Sequence, residues 1–332
     1  MTAREEEVEH EDRFVGALLG GAVGDALGSF CEGWPRERIL EVEDLMGHYR
    51  DLRRHGEVVR AGGAYTDDTQ QALVLVESLL ARGCVDPGDV AARLLRMWRA
   101  GELYGYGRAF REALERMASG VPWHQAASTD MPSNGTVMKI APIGLWHWRS
   151  EVRLDADAAA VSRLTHKDPR AVAPAVAIAQ VVRHLAAGGA PAVDEVVALA
   201  ERSAGAVHAA TGHLIGQVRR LLELPADDAY AELLEMPESR IRAGGQGIPS
   251  EAPVTAVVAL EAFLRTPGEF DATVRRALTC GGDVDTFAAV AGNLSGACNG
   301  AQAIADHLRA GLPAADHITR LARDLYRKSL LV

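Results

Sequence analysis

The sequence predicts an all-α protein built as a single domain, and three observations predict it. Apolar residues recur at helical spacing through nearly every long segment, as in Ala171, Ala175, Ile178, Ala179 and Val182. Helix breakers separate those segments: Asp86-Pro87-Gly88, Asp168-Pro169, Gly188-Gly189-Ala190-Pro191, Pro225 and Thr266-Pro267-Gly268. Alternating strand patterns are almost absent, and no linker-like composition break or repeat divides the chain.

In chain order, the acidic stretch Glu5 to Asp12 reads as an N-terminal tail over 1–12, unlike a signal or transit peptide, with the helical domain at 13–332. The apolar run Phe14 to Phe30 follows; it carries Asp25 and is too short and glycine-rich to read as a membrane span. Gly16, Gly20, Gly24 and Gly28 recur every fourth residue within it. Glycine weakens a helix, so four on one side imply a very close neighbour. A tight helix crossing explains Gly16 and Gly20; for Gly24 and Gly28, which lead to Glu32, a site wall is an equal alternative. Further helices are predicted over 67–82, 88–100, 168–187, 191–203, 207–223, 251–265, 285–299 and 313–328.

The composition is that of an ordinary soluble protein, with 48% hydrophobic and 24% charged residues in 332. Lys plus Arg number 35 against 45 Asp plus Glu, a net charge of −10. That balance argues against a general nucleic-acid or anionic-membrane surface, although it does not exclude a nucleic-acid substrate. A phosphate-bearing substrate then needs local cations or bound metal. Cys31, Cys84, Cys280 and Cys298 are scattered and read as reduced thiols, so a cytoplasmic location is expected.

Two motifs carry the chemistry: Thr66-Asp67-Asp68-Thr69 and Asp283-Val284-Asp285-Thr286, each preceded by paired glycines (Gly62-Gly63 and Gly281-Gly282) and each opening a helix. The ordinary reading of Asp67 or Asp283 is an N-cap, and Asp67 with Gln70 matches a capping box. A cap uses one acid, however, and a second follows in each motif. Neighbouring carboxylates repel unless a cation or proton intervenes. If the two helix ends meet, they form an oxygen-rich set suited to a hard cation such as Mg²⁺, or to two such ions sharing carboxylates. No H-E-x-x-H or Cys/His cluster suggests zinc.

Ser133-Asn134-Gly135-Thr136-Val137-Met138-Lys139 contains an Asn-Gly turn signal. It reads either as a hairpin or simple loop, or as a helix start whose N–H groups face an anion. His166 stands at a helix junction before Asp168-Pro169, where a lone histidine is ordinarily solvated or bonded within the core. Phosphate-loop and nucleophile-elbow motifs are absent.

Taken in order, these pieces resemble the ADP-ribosylglycohydrolase family. The resemblance spans residues 13 to about 300. It rests on the segment Gly16 to Gly28 with Glu32, Tyr65 to Thr69, Asn134 to Leu145, Leu164-Thr165-His166, and Gly281 to Thr286. It implies an orthogonal helical bundle with two Mg²⁺ ions in a central cleft, Mn²⁺ being an alternative. By that resemblance Thr66, Asp67, Asp68, Asp283, Asp285 and Thr286 are metal ligands. Glu32 is a mobile acid beside them, grouped with Asp67, Asp68 and Asp285 as catalytic. Asn134, Gly135, Thr136, Met138 and His166 hold the diphosphate and ribose.

The implied activity is hydrolysis of the glycosidic bond of an ADP-ribosylated protein or small-molecule conjugate. A two-metal nucleotide-diphosphate phosphohydrolase and a non-catalytic ADP-ribose binder are the alternatives. Relatives often have Arg where Lys139 stands and Thr where Val284 stands. They commonly carry an aromatic in the loop that corresponds to Arg242–Glu251, which has none here.

Overall fold

The computed structural model describes residues 3–128, 130–236 and 247–331. Among them, eight helices of fourteen or more residues carry the fold: α1 (Ala3–Gly28), α2 (Asp67–Arg82), α3 (Pro87–Ala100), α4 (Pro169–Ala186), α5 (Val193–Val207), α6 (Ala252–Arg265), α7 (Val284–Asn299) and α8 (Ala315–Ser329). Shorter helices and loops connect them. The all-α expectation holds, and the one sheet among the described residues is an antiparallel hairpin, β1 (Leu52–Arg54) with β2 (Glu57–Arg60). Its turn residues His55 and Gly56 both have positive φ, 52° and 86°, as a tight hairpin turn with the native twist requires.

Residues 3–12, set apart as a tail by their charge, form the first turns of α1. Arg13 on the same helix pairs with Glu9 one turn earlier at 2.6 Å and donates to the Leu185 carbonyl at 2.7 Å. The predicted helix 207–223 is interrupted at Gln217, directly after Gly216, a residue with weak helix preference.

The centre of the bundle is the crossing of α1 with α7. A Cβ added at Gly16 would lie 2.4 Å from the Gly296 carbonyl oxygen, at Gly20 2.5 Å from that of Gly292, and at Gly24 2.1 Å from that of Ala288. Added at Gly28, it would lie 2.4 Å from the Asp285 Cα. The two helices therefore run antiparallel with their backbones in contact, and every fourth residue of α1 must lack a side chain. Gly24 and Gly28 belong to this seam and also set the position of Asp285. Around it pack α4 and α6, apolar on nearly every face as core helices are. The buried charge of α6, Glu261, is matched by Arg276 at 2.9 Å and Arg265 at 2.6 Å.

A Gly28→Ala protein is expected to lose roughly 1–3 kcal/mol of stability or more, because the added methyl meets backbone that cannot rotate away. Thermal denaturation measures this directly. An unchanged midpoint would mean that the helices separate freely.

Candidate active site

The site begins with a cap supplied from another helix. Asp25 of α1 is wholly buried and accepts the backbone N–H groups of Thr66 at 2.9 Å and Thr69 at 3.1 Å, and the Thr69 hydroxyl at 2.6 Å. The Thr66 hydroxyl accepts from the Asp68 N–H at 3.3 Å. The exposed donors of Asp68 and Thr69 at the opening of α2 are thus satisfied by Thr66 and Asp25. Asp67 and Gln70 form no capping box: the Gln70 amide donates to the Glu102 carbonyl at 2.7 Å. Released from capping, Asp67 and Asp68 line a cleft of about 500 Å³.

The second wall is built at the start of α7. Gly281 and Gly282 have φ of 69° and 84°, a left-handed turn that favours glycine. The Gly282 carbonyl accepts from Gly33 N–H at 2.7 Å, and its N–H donates to the Trp34 carbonyl at 2.8 Å. This clasp ties the turn carrying Glu32 to the turn carrying Asp283. Carboxylate oxygens of Glu32, Asp283 and Asp285 consequently lie within 4.8 Å of one another. Asp283 occupies the N-cap position of α7 but its side chain makes no cap bond; it accepts from the Asn134 amide instead.

Crowded carboxylates in a desolvated cleft resist ionisation. Burial, then Asp25 and Glu32, push the Asp67 carboxyl up to about 8. Asp68 is raised well above its usual range by burial, then Asp25 and Asp285. Asp285 is raised by burial, then Glu32 and Asp283. Desolvation within the cleft, then Asp283, pushes the Glu32 carboxyl up to about 7.

These residues fit a hard cation. The Asp68 Oδ2 atom is buried without a hydrogen-bond partner among the described residues, an arrangement that a bound cation relieves. The surrounding donors are all oxygens, as Mg²⁺ or Ca²⁺ prefers and as zinc sites seldom are.

The 133–139 segment meets the acids where the Asn134 amide reaches Asp283. It is a run of turns that enters the short helix Ala141–Trp146, so the loop reading describes it better than a helix start. Ser133, Asn134, Gly135, Met138 and His166 all line the cleft. Gly135 lets His166 approach: a Cβ there would lie 2.9 Å from the imidazole Cε1. Burial, then Lys139, hold His166 down to about 3, so the ring is neutral.

Thr136 points elsewhere, its hydroxyl donating to the Ala171 carbonyl at 2.7 Å within the core. Thr66 likewise is absent from the cleft lining, whereas Thr286 is part of it. Arg108, Phe110, Arg170 and Glu251 also line the cleft, though no sequence motif marked them. The only advance signals were the glycine-spaced turn Gly105-Tyr106-Gly107 before Arg108 and the position of Arg170 in the first turn of α4. Residues 242–246 of the loop that lacks an aromatic lie outside the described residues.

The family model of ADP-ribosylglycohydrolases matches residues 6–331. The chain belongs to the ADP-ribosylglycohydrolase family. ADP-ribosylarginine hydrolase Tri1 of Pseudomonas putida is similar, 29% identical over 326 residues that cover 96% of this chain and 79% of the relative. ADP-ribosylhydrolase ARH3 of Danio rerio is 27% identical over 347 residues, covering 95% of this chain and 92% of that protein. A solved structure described as an ADP-ribosylglycohydrolase-related protein complex superposes with a TM-score of 0.77 at 32% identity, covering 97% of this chain and 99% of its own. As an ADP-ribosylglycohydrolase, the protein is an enzyme that hydrolyses glycosidic bonds. Among the described residues, no helix is long and apolar enough to cross a membrane.

Proposed function

We propose that this ADP-ribosylglycohydrolase cleaves the bond between the ribose anomeric carbon and the acceptor of an ADP-ribosyl conjugate, using two Mg²⁺ ions. The observation that supports it most is that one cleft is lined both by clustered acids (Glu32, Asp67, Asp68, Asp283, Asp285) and by donors on Asn134, Gly135, Arg108 and Arg170. A substrate with a diphosphate at one end and ribose hydroxyls at the other matches that polarity. Asp68, Asp283, Asp285 and Thr286 would hold the ions, with Thr66 and Asp67 at the same helix end. When bound, Mg²⁺ supplies positive charge that polarises oxygen ligands and lowers the pKa of water.

The chain's own residues account for the remainder. Arg108, Arg170 and the 134–138 turn bind the diphosphate, Arg170 being oriented by Asp168 at 2.6 Å. Neutral His166 offers a hydrogen bond without adding charge. Departure of the acceptor leaves oxocarbenium-like character on the ribose, which the surrounding carboxylates stabilise electrostatically. Glu32, at the solvent-facing mouth, is placed to move a proton between the reacting atoms and bulk water. The name of the Pseudomonas putida relative favours an arginine-linked acceptor, with serine, nucleobase and small-molecule conjugates as the other classes to be tested.

The test is incubation with ADP-ribosylated arginine, serine and nucleic acid, with and without chelator. Free ADP-ribose released only in the absence of chelator is the expected product. AMP would instead indicate phosphate-bond cleavage, and tight ADP-ribose binding without turnover would indicate a binding protein.

A further inference from the structure

Lys139 belongs to neither the acids nor the donors of the cleft, yet it touches the support of both. Its side chain is buried, 1% exposed, and is not part of the cleft lining. The ammonium donates to Gln71 Oε1 at 2.9 Å and to the Thr165 hydroxyl at 3.3 Å. Gln71 in turn donates through Nε2 to Asp67 Oδ2 at 2.8 Å. On the other side, Thr165 Oγ1 lies 2.8 Å from His166 Nδ1, and Ser133 Oγ lies 2.8 Å from His166 Nε2. Six side chains thus form one unbroken chain from Asp67 to Ser133.

The direction of every proton in that chain follows from its middle. With its ammonium charged, Lys139 has donors only, so both of its partners must accept from it. Gln71 must therefore turn its oxygen to Lys139 and its NH₂ to Asp67. That fixes one Asp67 oxygen and leaves the other for the cleft. Thr165 accepts from Lys139, so its own hydrogen needs an acceptor. Thr165 is wholly buried, and among the described residues the acceptor in reach of its hydroxyl hydrogen is His166 Nδ1. Nδ1 must then be bare, the ring hydrogen must sit on Nε2, and Nε2 donates to Ser133. The Ser133 hydroxyl, accepting from Nε2, keeps its own hydrogen for the cleft that it lines.

We propose that Lys139 is a positioning residue that polarises this chain: it fixes His166 as the Nε2–H tautomer and thereby turns the Ser133 hydroxyl into a donor toward an anionic group of the substrate, while it orients Asp67 through Gln71. Only the substrate clause rests on the ADP-ribosyl reading above; the proton directions do not.

The experiment is ¹H–¹⁵N NMR of the full chain labelled at histidine nitrogen, with the His166 signals identified by their loss in His166→Asn. The wild-type protein should show a neutral ring protonated at Nε2, without any ligand present. Thr165→Val, nearly isosteric, should release that preference while leaving the Gln71–Asp67 arm intact. Lys139→Met should release it too, and Lys139→Arg should restore it in part. ADP-ribose binding, measured in chelator, should weaken roughly tenfold to hundredfold in Thr165→Val and Ser133→Ala alike, the loss of one hydrogen bond to a charged group.

A wild-type ring protonated at Nδ1 overturns the proposal, as does an unchanged tautomer in folded Thr165→Val. Should the tautomers behave as stated while the enzyme releases no ADP-ribose from any conjugate, the functional reading fails and the polarised chain stands.

Discussion

Asp285→Ala and Asp68→Ala proteins should fold and yet lose turnover by well over the roughly 10–100-fold that removal of a metal ligand's outer hydrogen-bond partner costs. Two readings of these aspartates make opposite forecasts. As helix caps, they would cost about 1 kcal/mol of stability when removed and leave catalysis alone. As cation ligands, their removal would cost activity and metal affinity together while relieving repulsion in the metal-free protein. The structure favours the second, because the opening of α2 is capped by Asp25 and Thr66, and Asp68 Oδ2 is left buried without a hydrogen-bond partner among the described residues. Calorimetric metal titration beside kcat and KM separates the two. Wild-type turnover in Asp285→Ala, with only a lowered melting temperature, would return these residues to a capping role.

The metal-free protein should become less stable as pH rises from about 5 to 7, the opposite of a protein held together by ion pairs. Asp67 is pushed from 3.8 up to about 8 and Glu32 from 4.5 up to about 7, with Asp68 and Asp285 raised as well. In that interval the folded state retains protons that the unfolded chain has released. Stability is therefore fully present below the unfolded pKa values and is lost as pH climbs through the folded ones. His166, held down to about 3, works in the other direction below its ordinary 6.5, but it is one group against four carboxyls.

Saturating Mg²⁺ should reverse the trend, since it binds the ionised carboxylates of the folded state and adds about 2.7 kcal/mol at a hundredfold excess over Kd. Differential scanning calorimetry across this range, with chelator and then with Mg²⁺, measures both slopes. A flat profile, indifferent to chelator, would mean that the acidic cluster is neither repulsive nor metal-binding.

Helix 67–82 was legible to the residue because its apolar spacing and its leading Thr-Asp-Asp-Thr are local signals. So was the glycine repeat, whose spacing announced a close neighbour before that neighbour could be named. The sequence could not show that the cap of α2 is Asp25, 41 positions away, nor that Lys139 reaches Gln71, because both depend on which helices cross. Thr136 illustrates the reverse limit. It sits inside a segment where four neighbours line the cleft, yet the path of the turns aims its hydroxyl at Ala171. Residue type and neighbourhood identify a loop; only the backbone path decides which of its side chains face in.

The backbone contact between α1 and α7 also bears on how such an enzyme could be re-engineered. With no side chain between Gly28 and Asp285, the spacing of the acidic wall has no adjustable part, and libraries that vary these helices should return mostly misfolded protein. Diversity belongs on the rim around Gly105 to Gly107 and Asp130 to Pro132, where exposed and half-buried loop residues border the same cleft and Arg108 and Ser133 can be kept. A search for new acceptors is best confined there, with the seam held invariant as the gauge that keeps the reacting centre in register.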